Sequence, residues 1–180
     1  TQVGRKHSVD LKRGGPPAVY NRPQEPKPPY PYREEEVVFR NTIENFDLAG
    51  TLTMPEGNGP FAAAVLITGS GQEDRDETIY SHKPFRVIAD YLSRNGIAVL
   101  RFDDRGTGGT KGSLINVTSE NFAGDVAAAV AYLTTRPEIS QKKIGLIGHS
   151  EGGLIAPMVA SKNPYIAFII SMAGPGGTGR

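Results

Sequence analysis

From residue 61 to residue 172 the sequence alternates between two patterns. Short apolar runs at 61–68, 97–102, 143–147 and 165–172 are separated by longer stretches with apolar residues at helical spacing. Runs of that length and continuity fit strands buried on both faces, where no polar face is needed. The first intervening stretch, 81–95, carries the stripe Phe85, Ile88, Ala89 and Leu92, with Ser81 as its expected cap, Pro84 in its first turn and Gly96 beyond its end. The second, 119–135, places Phe122, Val126, Val130 and Leu133 on one face, with Pro137 past its end. The third, 151–161, contains Pro157, which removes a backbone donor and predicts a local kink. Upstream, 36–40 and 48–54 predict a β-hairpin. Strand, helix and strand in regular succession require crossover connections. The expected fold is therefore α/β: a mainly parallel sheet with helices on both faces. The chain offers no helix to cover the run at 165–172, so the sheet is expected to continue in a segment beyond residue 180.

Within that pattern one pentapeptide stands at a strand-to-helix junction: Gly148-His149-Ser150-Glu151-Gly152. It fits G-x-S-x-G with a buried strand before it and a helix after it, the context that distinguishes a nucleophile elbow from a chance match. The physical requirement is a very tight turn. Glycines at 148 and 152 let strand and helix approach, and Ser150 is held in a strained conformation with its hydroxyl above the sheet. The same corner puts a helix N-terminus beneath the reacting oxygen. The backbone N–H of Glu151 is thus one candidate oxyanion donor. A second donor is expected from the loop after the first buried strand, Thr68-Gly69-Ser70-Gly71-Gln72, with the N–H of Ser70 preferred and Gly71 next. The loop lacks the G-K-[ST] ending of a phosphate-binding loop.

Two charged segments lie near these loops. Glu73-Asp74-Arg75-Asp76-Glu77 could hold a divalent cation through oxygen, but ion pairs with Arg75 and Arg105 that anchor loops at the site mouth are the favoured reading. Asp103-Asp104-Arg105-Gly106 follows another buried strand, at the carboxyl edge where active sites of such sheets gather. It reads as a salt-bridged turn that positions neighbouring loops.

A Ser-type nucleophile needs a base and an acid, which in this arrangement follow the serine in the order Asp or Glu, then His. Residues 152–180 contain no Asp, Glu or His. His7, His82 and His149 all precede the serine. His149 is expected to turn away from the site as a packing or supporting residue, His82 to line the pocket at most, and His7 to be exposed in an amino-terminal arm. The acid and the histidine are therefore expected in a further carboxyl-terminal segment, and this chain alone is expected to have only residual turnover.

Composition narrows the rest. With 20 Lys and Arg against 19 Asp and Glu, no nucleic-acid footprint is expected. The absence of cysteine excludes disulfides and thiolate zinc sites. No apolar run reaches the roughly 18 residues of a membrane span. Residues 13–35 form a connector rich in proline, expected to be extended. Residues 1–12 read as the last strand of an amino-terminal β domain, and 36–180 as the first part of the α/β domain.

The segments Leu66-Ile67-Thr68-Gly69-Ser70-Gly71, Arg101-Phe102-Asp103-Asp104-Arg105-Gly106 and Gly148-His149-Ser150-Glu151-Gly152 resemble those of α/β-hydrolase esterases, in the group of dienelactone hydrolases and serine aminopeptidase-like hydrolases. The resemblance implies a carboxylic-ester hydrolase with a Ser-His-Asp triad, a small-molecule ester substrate and no cofactor. It also implies a small β-rich domain before the connector. Thr68 stands where such loops often carry histidine. A serine peptidase or amidase of the same fold, and a non-catalytic binding protein with a vestigial elbow, remain open alternatives.

Overall fold

The computed structural model describes residues 21–177. The strand expected at 1–12 and the start of the connector lie outside the described residues. Six strands and three helices follow in order: β1 Tyr32–Asn41, β2 Phe46–Pro55, β3 Phe61–Ile67, α1 Pro84–Arg94, β4 Ile97–Phe102, α2 Ser119–Thr134, β5 Ile139–His149, α3 Gly152–Ala160 and β6 Ile166–Met172. They form one sheet of order β1-β2-β4-β3-β5-β6. Strands β4, β3, β5 and β6 are mutually parallel, while the β1–β2 hairpin joins antiparallel through β2 to β4.

Strand β3 shows why its run is continuously apolar. Successive side chains point to opposite faces. Ala63, Val65 and Ile67 pack with Val126, Ala129, Val130 and Leu133 of α2 and Ile155 and Ala156 of α3. Ala64 and Leu66 pack on the other face with Phe85 and Ala89 of α1, together with Val99 and Ile147. Both faces are covered, as expected for a doubly wound sheet.

Three boundaries differ from expectation. Helix α1 starts at Pro84 with Lys83 as its cap residue, so Ser81 does not cap it. Tyr80 and Ser81 both have positive φ, and Ile79 and His82 close a small bridge, which spends these residues on a turn. Strand β1 begins at Tyr32, pairing through to Asn41 against β2, so residues 32–35 are strand rather than connector. Strand β5 begins at Ile139, four residues earlier than its apolar run, because Phe61 pairs with Ile139 across a bulge. Helix α3 continues through Pro157.

At the far edge, β6 pairs with β5 alone among the described residues. Its Phe168, Ile169 and Ile170 are 40%, 42% and 46% exposed, an unusual state for three consecutive large apolar residues.

Candidate active site

The corner between β5 and α3 is built by backbone sterics. Ser150 sits at φ 51°, a region that non-glycine residues occupy only when their surroundings force it. The forcing is visible on both sides. A Cβ on Gly148 would overlap the carbonyl of Gly152, and a Cβ on Gly152 would overlap the carbonyl of Ile67 and come within 2.7 Å of that of Thr68. Strand, helix and the end of β3 therefore touch through bare backbone. Ser150 N–H donates to the Met172 carbonyl at 2.9 Å, tying the corner to the end of β6. Glu151 is the cap residue of α3, and its side chain is turned aside, with Oε1 accepting from the Ser119 hydroxyl at 2.6 Å.

The turn after β3 returns to this corner through Gly69. A Cβ there would lie 3.4 Å from Ser150 Cβ and 3.6 Å from His149 Nδ1. The sequence reading favoured Ser70 and Gly71. Both are exposed at the rim, and Gly71 turns the chain at φ 117°. The residue at which an added Cβ would meet Ser150 is their neighbour Gly69.

Carboxylates hold this turn from three sides. The N–H of Gly69 donates to Glu73 Oε2 at 3.1 Å and to Glu77 Oε1 at 3.0 Å. Thr68 donates its hydroxyl to Asp104 Oδ1 at 2.8 Å, and the N–H of Glu73 donates to Asp104 Oδ2 at 3.0 Å. Burial raises the Asp104 carboxyl to about 7, against the lowering effect of these two hydrogen bonds. Burial, with the charge of Glu77 next, also pushes Glu73 above the usual carboxylate range. Oε1 of Glu77 is in addition hydrogen-bonded to His149 Nδ1 at 2.6 Å, the carboxylate accepting from the tautomer that carries its proton on Nδ1.

The expected ion pairs form with other partners. Arg75 pairs with Asp103 at 2.8 Å and with Glu36, not with its own segment. Arg105 grips Glu44 through two bonds of 2.6 and 2.7 Å and also pairs with Asp125. Of the acidic segment, Asp76 binds Arg101 and Lys83, while Asp74 accepts the N–H groups of Asp76 and Thr78 and so shapes its own turn. Glu73 and Glu77 are thereby left for the turn at Gly69. Asp103-Asp104-Arg105 does position neighbouring loops: Asp103 and Asp104 both hold the segment after β3, through Arg75 and through Thr68 and Glu73, and Arg105 holds Glu44. Among the described residues no group of three or more acidic or histidine side chains is placed to hold a metal ion.

His149 is hydrogen-bonded through Nδ1 to Glu77. His82 contacts Gln24 of the connector at 3.4 Å. His7 lies outside the described residues. The partnership of Glu77 and Asp104 with the turn escaped sequence reasoning. Its only signal was a cluster of acids beside a glycine-rich loop, which equally suits surface ion pairs.

Residues 80–176 match the family model described as serine aminopeptidase, S33. The chain is 38% identical to the esterase EstD of Thermotoga maritima over 133 residues, covering 73% of this chain and 32% of that protein. It is 32% identical to the thiohydrolase aneE of Aspergillus aculeatus, over 73% of this chain and 39% of that one. The chain thus spans well under half the length of these curated relatives. Among solved structures, the Pyrococcus furiosus esterase Pf2001 superposes with a TM-score of 0.66 at 26% identity, covering 80% of this chain and 50% of that one. A dienelactone hydrolase from Anabaena variabilis shares the fold with a TM-score of 0.63 at 21% identity, covering 81% of this chain and 65% of that one. The fold, the glycine-built corner and these matches agree: the chain belongs to the serine aminopeptidase S33 family of α/β hydrolases.

Proposed function

We propose that the protein is a serine hydrolase that cleaves carboxylic esters through an acyl-enzyme on Ser150. The observation that carries this reading is the placement of Ser150 at φ 51° between β5 and α3, where no Cβ fits at Gly148 or Gly152. Strain of that kind persists where surrounding structure over-determines it, and it presents the hydroxyl at the helix N-terminus. A histidine takes the hydroxyl proton as the oxygen attacks the ester carbonyl. The N–H groups of Glu151 and Ser70 stabilise the tetrahedral oxyanion, each worth on the order of 3 kcal/mol. Collapse expels the alcohol, which receives the proton from the histidine, and water then releases the acid by the same route.

The histidine and its acid come from a carboxyl-terminal segment beyond residue 180 that packs on β6. The exposed Phe168, Ile169 and Ile170 support that docking. So does the occupation of His149 by Glu77 and of His82 by the connector. The esterase names of relatives favour an ester substrate. The family's description as serine aminopeptidases favours a second reading, cleavage of an amide bond.

The test is intact-mass analysis of the full-length protein with a fluorophosphonate probe, alongside turnover of short acyl esters and aminoacyl amides. One adduct mapping to Ser150, ester turnover, and loss of both in Ser150→Ala are expected. Ester turnover that survives in Ser150→Ala overturns the reading. Turnover of amides alone replaces it with the second.

A further inference from the structure

The two proposed oxyanion donors belong to segments far apart in sequence: Ser70 follows the turn residue Gly69, and Glu151 lies two residues after His149. Their spacing has to be set by something that touches both segments. One atom does. Glu77 Oε1 accepts from the Gly69 N–H at 3.0 Å and from His149 Nδ1 at 2.6 Å. Glu73 also accepts from Gly69, but it reaches only the turn to which it belongs.

Glu77 is built for a fixed position. It is 2% exposed and has φ 52°, a strained value for a side chain with a Cβ. Its own N–H is held by the Asp74 carbonyl at 2.8 Å, and the Phe85 N–H at the start of α1 donates to the Asp76 carbonyl at 3.2 Å. The carboxylate is thus delivered from a rigid turn anchored to α1. Burying a carboxylate is costly unless it is hydrogen-bonded, and here the two partners are the segments that flank Ser150.

We propose that Glu77 is a positioning residue for the oxyanion hole, its Oε1 bridging Gly69 and His149 and so setting the gap between the turn and the elbow. This rests on Ser150 being the nucleophile. An error of about 1 Å in such a gap costs on the order of 100-fold in rate, because the donors must meet the developing oxyanion rather than the ground-state carbonyl.

The experiment is steady-state ester hydrolysis by the full-length protein, with thermal melting and fluorophosphonate labelling of Ser150 on each variant. Glu77→Met keeps the length of the side chain and the backbone strain and removes both acceptors. It is expected to lower kcat about 100-fold with KM within about threefold. Glu77→Gln restores an acceptor oxygen and is expected to recover kcat to within about tenfold of the wild type. His149→Phe removes only the elbow half of the bridge. It is expected to lower kcat about tenfold with a modest loss of melting temperature in a protein that remains folded, and it carries the test if Glu77→Met does not fold. Undiminished kcat in Glu77→Met, or in His149→Phe where the former is unfolded, overturns the inference while leaving the esterase reading intact. Losses that appear in KM, with kcat preserved, overturn it as well. A wild-type protein that neither turns over esters nor labels at Ser150 overturns the esterase reading, and this inference with it.

Discussion

The two sides of the candidate site are made in different ways. On one side, the corner at Ser150 is fixed by backbone against backbone: Gly148 against Gly152, Gly152 against the end of β3, and Ser150 N–H on Met172. On the other, the turn at Thr68–Gly69 is suspended from the side chains of Asp104, Glu73 and Glu77. Steric contact between bare backbones is insensitive to pH and intolerant of any added atom. A web of buried carboxylates tolerates small changes of shape but depends on where its protons are. One site thus combines a rigid half with a half whose geometry answers to charge.

The harshest way to break the comparison is to add one methyl group to the corner. Gly152→Ala drives a Cβ into two backbone carbonyls that cannot move without distorting β3. The expected loss of stability lies at the upper end for single substitutions, on the order of 4 to 5 kcal/mol, or the variant fails to fold. Urea denaturation of the full-length protein measures it. A loss below about 1 kcal/mol contradicts a corner closed by backbone contact.

The carboxylate side is tested by pH. The Asp104 carboxyl titrates at about 7 in the folded protein, against 3.8 for an ordinary aspartate, chiefly because it is buried. The folded state therefore binds more protons than the unfolded state between those values. Stability contributed by this group is fully present below about pH 4, falls as pH rises, and is lost above about pH 7. Asp104→Asn does not titrate. Relative to the wild type, the variant is expected to gain on the order of 2 to 4 kcal/mol between pH 4 and pH 7.5. A difference between the two proteins that stays flat across that range rules out a buried, titrating Asp104.

The same contrast explains what could be read from sequence. The corner is local: Gly148, Ser150 and Gly152 sit within five residues, and the steric demand on each follows from the turn itself. The continuous apolar runs of β3 and β4 were equally legible, because burial on both faces leaves no room for polar residues. The turn's supports were not. Thr68 and Asp104 are 36 residues apart, and Glu77 and His149 are 72 apart. No period or motif joins them. An acidic pentapeptide containing arginine suggests internal ion pairs, and only the folded sheet shows that Arg75 is drawn to Asp103 while Glu77 turns inward. Ser81 misled for a related reason. It has the chemistry of a helix cap, yet the turn closed by Ile79 and His82 holds it at positive φ.

A smaller change sharpens the description of the turn. Thr68→Val keeps the shape of the side chain and removes the hydroxyl donated to Asp104. Loss of one such bond to a buried acceptor is expected to cost about 1 to 2 kcal/mol at neutral pH, where the charged carboxylate loses a partner. Because that bond lowers the Asp104 pKa, its removal shifts the titration upward. The cost is therefore expected to shrink at pH 4, where Asp104 is neutral in both proteins. Denaturation at the two pH values reads the difference, and an equal cost at both contradicts the coupling.

The smallest expected effect is the one that bears most directly on the contrast. Ser119, at the start of α2, donates its hydroxyl to Glu151 Oε1 at 2.6 Å, the one side-chain hydrogen bond among the described residues that reaches the residue following Ser150. If backbone packing alone fixes the corner, this bond is incidental to it. Ser119→Ala is then expected to cost about 0.5 to 1 kcal/mol, as for an ordinary hydrogen bond, and to leave the rate of fluorophosphonate labelling at Ser150 unchanged. A tenfold slower labelling rate in a variant that remains folded gives the opposite answer: the elbow, like the turn, depends on a side chain brought from a distant segment. The site then has no rigid half, and its reactivity rests throughout on contacts between distant segments.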